Sequence, residues 1–230
     1  MRLTPRHVAL VVAEDEGGDE IPVGYTESTD ADYRQTITEL YGEDPEGEER
    51  WFFAYGSLIW KPACDFVEIR TGLLRGWHRR FCLGWNTRFR GSETNPGLML
   101  ALDRGGACKG VAYRLPPGQV VPNLIKLFER EMRYKPSAFP PRIIPVTTAD
   151  GVIRALTFCI DRNSGRYVSG LDDAAIADVL ATAVGSRGSM AEYLHATVDH
   201  LERLGIHDRH LWSLQELVAE RIEAHHPSKL

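Results

Sequence analysis

Two stretches of the chain carry side chains arranged for chemistry. The first is Trp51-Phe-Phe-Ala-Tyr-Gly-Ser-Leu-Ile-Trp60. Its aromatic start suits a pleated, half-buried strand, and it breaks at Gly56, whose missing Cβ lets a ligand approach the main chain closely. Ser57 offers a hydroxyl, and the amides of Gly56, Ser57 and Leu58 can converge on a carbonyl or anionic oxygen. Leu58, Ile59 and Trp60 then return the chain to the core. The same pattern also fits a strand followed by an ordinary turn.

The second stretch is a helix spanning roughly 121–133. Val121, Leu124, Ile125, Leu127, Phe128 and Met132 share one face. On a helical wheel Glu131 falls roughly 55° from the centre of that face, Glu129 roughly 100° away and Arg130 nearly opposite. This predicts a Glu131 carboxyl at the edge of the core and a Glu129 carboxyl in solvent. Partial burial raises a carboxyl pKa toward the range useful to a general base. A boundary glutamate paired with a lysine or arginine is the competing account.

Other constellations are weaker. His195, Asp199 and His200 share a helix, but only the first two share a face, so a solvated face competes with a metal site. Ser57 as a hydrolase nucleophile needs a base, and no G-x-S-x-G elbow surrounds it. Arg79, Arg80, Arg88 and Arg90 lie in an aromatic-rich segment and read as a basic edge or an anion clamp.

These residues must be positioned by a chain of 230 residues, 43% apolar, with a net charge of −5. That size and composition allow a full core without staples, and the charge argues against a dedicated nucleic-acid surface. Cys64, Cys82, Cys108 and Cys159 form no C-x-x-C pair, which predicts reduced thiols in a cytoplasm. The apolar run from Val8 to Ala13 is too short to span a membrane and is followed by acidic residues rather than a cleavage site. A cytoplasmic protein without a membrane segment is expected.

Residues 1–50 read as an acidic N-terminal arm packed on the main body. Its Glu14–Glu20 and Glu43–Glu49 stretches look like solvated linkers, and between them a helix capped by Thr29 or Asp30 runs through Tyr33, Ile37 and Leu40. Residues 51–230 read as the main domain. Leu98–Leu102, the turn Asp103–Gly106 and Cys108–Leu115 predict one hairpin; Arg142–Val146 and Ala155–Ile160, joined through Asp150-Gly151, predict another. Three helical patterns follow: 172–184, 189–204 and 208–225. Strands first, with helices inserted and then appended, define an α+β class.

Taken in order, the motifs resemble the bacterial branch of the ChaC family of γ-glutamylcyclotransferases. Phe53-Ala-Tyr-Gly-Ser-Leu-Ile-Trp-Lys-Pro62 is similar to that family's Y-G-S-L loop, and Glu129-Arg-Glu-Met132 to its R-E segment. Arg75–Phe81, Asn95–Asp103, Gly110–Arg114, Glu192-Tyr-Leu194 and Gly205–Gln215 continue the series. One departure is Arg133-Tyr-Lys-Pro136, where many members carry Gly-Gly-Tyr.

The resemblance implies a small, bent, mixed β-barrel with surrounding helices. It also implies cyclisation of a γ-glutamyl group, with glutathione as the family substrate and no metal or organic cofactor required. It places the catalytic glutamate at Glu131, and Tyr55, Gly56, Ser57 and Leu58 around the γ-glutamyl moiety. Tyr193 supplies a further hydrogen bond, and Arg90 or a neighbour meets a substrate carboxylate. Other γ-glutamyl amines or peptides as substrates, and a non-catalytic regulator of cation transport, are the alternative functions.

Overall fold

The computed structural model describes residues 1–12 and 24–228. The acidic Glu14–Glu20 stretch lies outside them. In chain order the elements are α1 (Pro5–Val8), β1 (Thr26–Glu27), α2 (Asp30–Tyr41), β2 (Trp51–Ala54) and a 3₁₀ turn at Ser57–Ile59. Next come β3 (Glu68–Asn86), β4 (Gly97–Arg114), α3 (Val120–Glu131), β5 (Tyr134–Lys135), β6 (Pro141–Thr148) and β7 (Gly151–Phe158). The chain ends with α4 (Asp173–Thr182), β8 (Val184–Gly185), β9 (Gly188–Ser189), α5 (Met190–Arg203) and α6 (Arg209–His225). These fall into two compact units. One holds the described residues of Ile21–Arg79 and Leu102–Asp161; the other holds those of Met1–Glu20, Arg80–Ala101 and Arg162–Leu230.

The first unit is built on a closed five-stranded barrel in the order β2-β4-β3-β6-β7. β2 is antiparallel to β4, with Phe52 opposite Tyr113, and parallel to β7, with Phe52 opposite Leu156. The mixed pairing follows from the sequence: all four residues of β2 are buried, so it reads as a continuous apolar run rather than an alternating one. Phe53 packs in the cluster with Trp51, Leu74, Leu102, Ala112, Val146 and Ala155, while Phe52 stacks on Tyr113 with ring centroids 5.5 Å apart.

β6 and β7 form the expected hairpin, closing with Thr148 opposite Gly151. The other expected hairpin is absent. Residues 97–114 make one strand whose partners are β2 and β3. Asp103-Arg-Gly-Gly106 does not reverse the chain; Gly105 (φ +105°) and Gly106 (φ +65°) put a left-handed irregularity within a continuing strand, as bulge-forming glycines do.

Helix α3 lays Leu124, Leu127 and Phe128, all fully buried, on the outside of the barrel. Phe128 meets Phe158 edge-on at 6.2 Å. On its other side, α2 presents Tyr33 and Ile37, and the Tyr33 ring lies 6.3 Å from that of Phe128. Thr29 caps α2 in a reciprocal box with Asp32: the Asp32 N–H donates to Thr29 Oγ1 at 3.3 Å and the Thr29 N–H donates to Asp32 Oδ2 at 2.7 Å. Such a box satisfies two donors that would otherwise be orphaned at the helix start.

The second unit packs α4, α5 and α6 against one another. Asp172, Ser189 and Asp208 each cap the following helix by accepting from a backbone N–H three residues on. The start of the chain is tied down by Leu3, whose N–H donates to the buried Gln215 Oε1 at 2.7 Å.

Candidate active site

The Tyr55–Leu58 turn is fixed from several directions. After β2 the chain enters the 3₁₀ turn, with the Ile59 N–H donating to Gly56 O at 2.9 Å and that of Lys61 to Ser57 O at 3.0 Å. The bonds of this turn run back from Ile59 onward, which leaves the Ser57 and Leu58 amides outside its ladder. Leu58 and Ile59 are buried. Tyr113 Oη donates to Ile59 O at 2.8 Å, and Thr157 Oγ1 to Phe53 O at 3.0 Å. Arg79 Nε donates to Tyr55 O at 3.0 Å, and its Nη2 to Lys109 O.

Arg79 therefore does not belong to a basic edge. It is 4% exposed, and Arg88 8%, so two of the four arginines read as a basic edge or an anion clamp are buried. Two main-chain carbonyls are among the partners of the Arg79 guanidinium, and they suit its fixed fork of donors.

Glu131 is the last residue of α3, and 19% of its side chain remains exposed. Glu129, two residues earlier, is exposed. Burial pushes the Glu131 carboxyl above its ordinary value, and the Arg130 charge acts against that rise. Elsewhere the partners win: Lys135 and Thr29 pull Asp32 down to about 2, and Arg70 holds Glu68 low. Glu131 is thus a desolvated carboxyl, with the burial cost of its charged form outweighing the Arg130 charge.

Arg130 is the residue that wheel geometry missed. It is exposed, as its place opposite the apolar face predicts, but its reach is not read from the wheel: its Nε lies 3.2 Å from Glu131 Oε1, its Nη2 donates to Ser57 Oγ at 3.0 Å, and its Nη1 donates to Lys61 O. One guanidinium spans the turn and the carboxyl, bringing together the two stretches that carry candidate chemistry. Because the partner of the Ser57 hydroxyl is a permanent cation, Ser57 has no proton acceptor there to make it a nucleophile.

Arg90 and Tyr193 lie in the second unit and meet each other. The Arg90 guanidinium sits 5.7 Å from the Tyr193 ring centroid, and its Nη1 donates to Glu192 Oε2 at 2.6 Å and to Ser189 O at 2.9 Å. A carboxylate approaching Arg90 has to compete with Glu192. Tyr193 is 5% exposed and lies edge-on to Phe81 at 6.2 Å. On the same helix Asp199 pairs with Arg203, and His200 Nδ1 bonds to Ala196 O. His195 is held below its ordinary pKa by burial. Among the described residues no group of three His, Cys, Asp or Glu is placed to hold a metal ion. Cys64 and Cys159 are buried thiols pushed up to about 11 and about 12. No helix among the described residues is long and apolar enough to cross a membrane.

A closed mixed barrel, with helices and a Tyr-Gly-Ser-Leu turn bridged to a partly buried glutamate, defines a protein of the γ-glutamylcyclotransferase-like fold. A crystal structure of a γ-glutamyl cyclotransferase specific to glutathione from yeast shares this fold, with a TM-score of 0.70 at 21% identity over 78% of this chain and 100% of that one. The family described as ChaC-like protein matches residues 50–221. The glutathione-specific gamma-glutamylcyclotransferase of Escherichia coli (strain K12) is 39% identical over 181 residues, covering 76% of this chain and 77% of that protein. Glutathione-specific gamma-glutamylcyclotransferase 1 of Homo sapiens is 30% identical over 195 residues, covering 81% and 86%. The chain belongs to the ChaC family.

Proposed function

We propose that this protein is a glutathione-specific γ-glutamylcyclotransferase acting in the cytoplasm, with Glu131 as its proton carrier. The observation that carries the site assignment is the Ser57–Arg130–Glu131 bridge. It ties a turn suited to gripping carbonyl oxygens to a carboxyl whose pKa burial raises.

In this reaction the substrate supplies its own nucleophile. The α-amino group of the γ-glutamyl residue attacks the γ-carbonyl carbon, a five-membered ring closes, and the γ-amide C–N bond breaks. The products are 5-oxoproline and cysteinylglycine, and water is not consumed. The site must hold the folded conformer, and well-oriented intramolecular attack reaches effective molarities of about 10⁵–10⁸ M.

The remaining demand is proton traffic. The α-ammonium must lose a proton before it attacks, and the departing nitrogen must gain one. Glu131 takes the first and returns it to the second, and a pKa raised by burial suits a group that does both. Tyr55, Gly56, Ser57 and Leu58 hold the γ-glutamyl group, with the Ser57 hydroxyl and the turn amides facing developing negative charge on the γ-oxygen. Tyr193 adds a hydrogen bond, and Arg90 meets a substrate carboxylate only by leaving Glu192. In this reading residues 51–230 form the catalytic domain and residues 1–50 an arm upon it.

The test is incubation of the purified protein with glutathione, scoring 5-oxoproline and cysteinylglycine together. Glu131→Gln should lower turnover by about 10²–10⁴-fold with the fold intact, and the exposed Glu129→Gln should stay within about twofold of wild type. Normal turnover by Glu131→Gln overturns the assignment.

A further inference from the structure

The arm lies outside the residues that match the family, yet it grips both ends of the helix that carries Glu131. Where α3 ends, Ser28 Oγ donates to Met132 O at 2.7 Å, and the Ser28 N–H donates to Arg133 O at 2.9 Å. The next two residues pair with the arm as strands, Glu27 opposite Tyr134 and Thr26 opposite Lys135. Two ion pairs flank this ladder: Arg133 with Glu27 at 3.1 Å and Lys135 with Asp32 at 2.7 Å.

At the other end, Gln119 gives α3 no side-chain cap. Glu46 of the arm supplies one, accepting from the Val121 N–H at 3.1 Å. A carboxylate there satisfies an orphan donor and opposes the positive end of the helix dipole. Between the two ends Tyr33 rests on Phe128. The segment directly after Glu131 is therefore held by the arm, at the place where Arg133-Tyr-Lys-Pro136 departs from the family pattern.

We propose that residues 26–46 are a positioning element of the active centre, in which Ser28 and Glu46 clamp α3 and set the placement of the Glu131 carboxyl toward Arg130 and the Ser57 turn. This rests on Glu131 being the proton carrier. Small displacements of a reacting group cost up to about 10²-fold in rate, so a clamp one residue from Glu131 acts on turnover more than on substrate binding.

The experiment compares full-length wild type, Ser28→Ala, Ser28→Thr and Gln35→Ala, the last an exposed control on the same arm whose side chain donates to Glu39. Two readouts are taken: steady-state kinetics with glutathione, and the substrate-free rate of carbodiimide modification of Glu131, followed by peptide mass mapping. Ser28→Ala should lower kcat about tenfold with KM within about twofold, and change the Glu131 modification rate at least about threefold. Ser28→Thr, which keeps the hydroxyl, should restore both, and Gln35→Ala should match wild type. The inference is overturned if both readouts in Ser28→Ala stay within about twofold of wild type. It is equally overturned if only KM moves, or if the loss tracks global unfolding and Thr does not rescue it. A wild-type protein that leaves glutathione intact refutes the proposed function instead, and the modification rate then decides the inference alone.

Discussion

Arg130 Nε lies 3.2 Å from Oε1 of Glu131, its neighbour in sequence, while the far end of the same guanidinium donates to Ser57 Oγ at 3.0 Å. Adjacent residues on a helix point about 100° apart and do not ordinarily face each other. They meet here, in the last turn of α3, because both side chains are long enough to bend toward each other past the angle between their Cα–Cβ bonds. The pair sets the balance on the carboxyl: burial drives it toward the neutral acid, and the guanidinium favours the carboxylate needed to accept a proton.

Arg130→Met removes the opposing charge and leaves the burial. The Glu131 pKa should rise further, so the acid limb of the kcat/KM profile should move to higher pH. Turnover near neutrality should fall by roughly 10²- to 10³-fold, the scale for losing one oriented donor near developing charge. Arg130→Lys keeps the charge without the fork that reaches Ser57 and Glu131 together, and should fall between. An acid limb unmoved in Arg130→Met would show that the guanidinium does not tune Glu131.

The same desolvation makes a prediction about stability with the sign fixed. A carboxyl whose folded-state pKa is raised above its unfolded value binds its proton more tightly when folded. Its contribution is therefore fully present below the unfolded pKa and is lost as pH rises through the folded one. Glu131→Gln, which cannot ionise, should raise Tm at neutral pH, by about 2–4 °C for each kcal/mol relieved in a chain of this size. The gain should shrink as pH falls through the range in which wild-type Glu131 is protonated. A Tm gain that is flat or grows toward acid pH would contradict the burial argument.

How much of this was legible in the sequence depends on the range of each interaction. Local patterns were readable: the Thr29 cap, the β6–β7 hairpin, and helices begun by Asp172, Ser189 and Asp208 all follow from neighbours along the chain. The apolar face of α3 also placed Glu131 at a boundary. The chain path at Asp103–Gly106 was misread because consecutive glycines permit a bulge as readily as a turn, and strand partners far away in sequence decide between them. Arg79 and Arg130 were missed for a related reason. Long guanidinium side chains end several ångströms from their Cα, so their partners are set by which backbone carbonyls and hydroxyls the fold delivers, here Tyr55 with Lys109, and Ser57 with Lys61.

Ser57→Ala separates a cradle from a nucleophile. If the hydroxyl supports substrate oxygens and holds Arg130, its loss should cost about 10- to 10²-fold in kcat/KM and leave measurable cyclisation. A serine nucleophile would instead lose about 10⁴-fold or more, and wild type would take up a fluorophosphonate at Ser57. Labelling at that position would sink the cyclotransferase reading of the turn.

Arg79 supports the turn from within the barrel unit. With 4% of its surface exposed, it donates to the carbonyls of Tyr55 and Lys109. Hydrogen bonds to a charged group contribute about 1.5–3 kcal/mol each. Arg79→Met keeps much of the side-chain volume but removes both charge-assisted donors, so urea denaturation should show a loss of about 2–4 kcal/mol. Arg79→Lys should recover only part of it, since a single ammonium cannot reproduce the planar fork. Because Tyr55 begins the candidate substrate turn, KM for glutathione should rise in Arg79→Met even at temperatures where the variant is fully folded. A variant that is destabilised but binds substrate normally would confine Arg79 to the barrel and leave the placement of the turn to Tyr113 and Thr157.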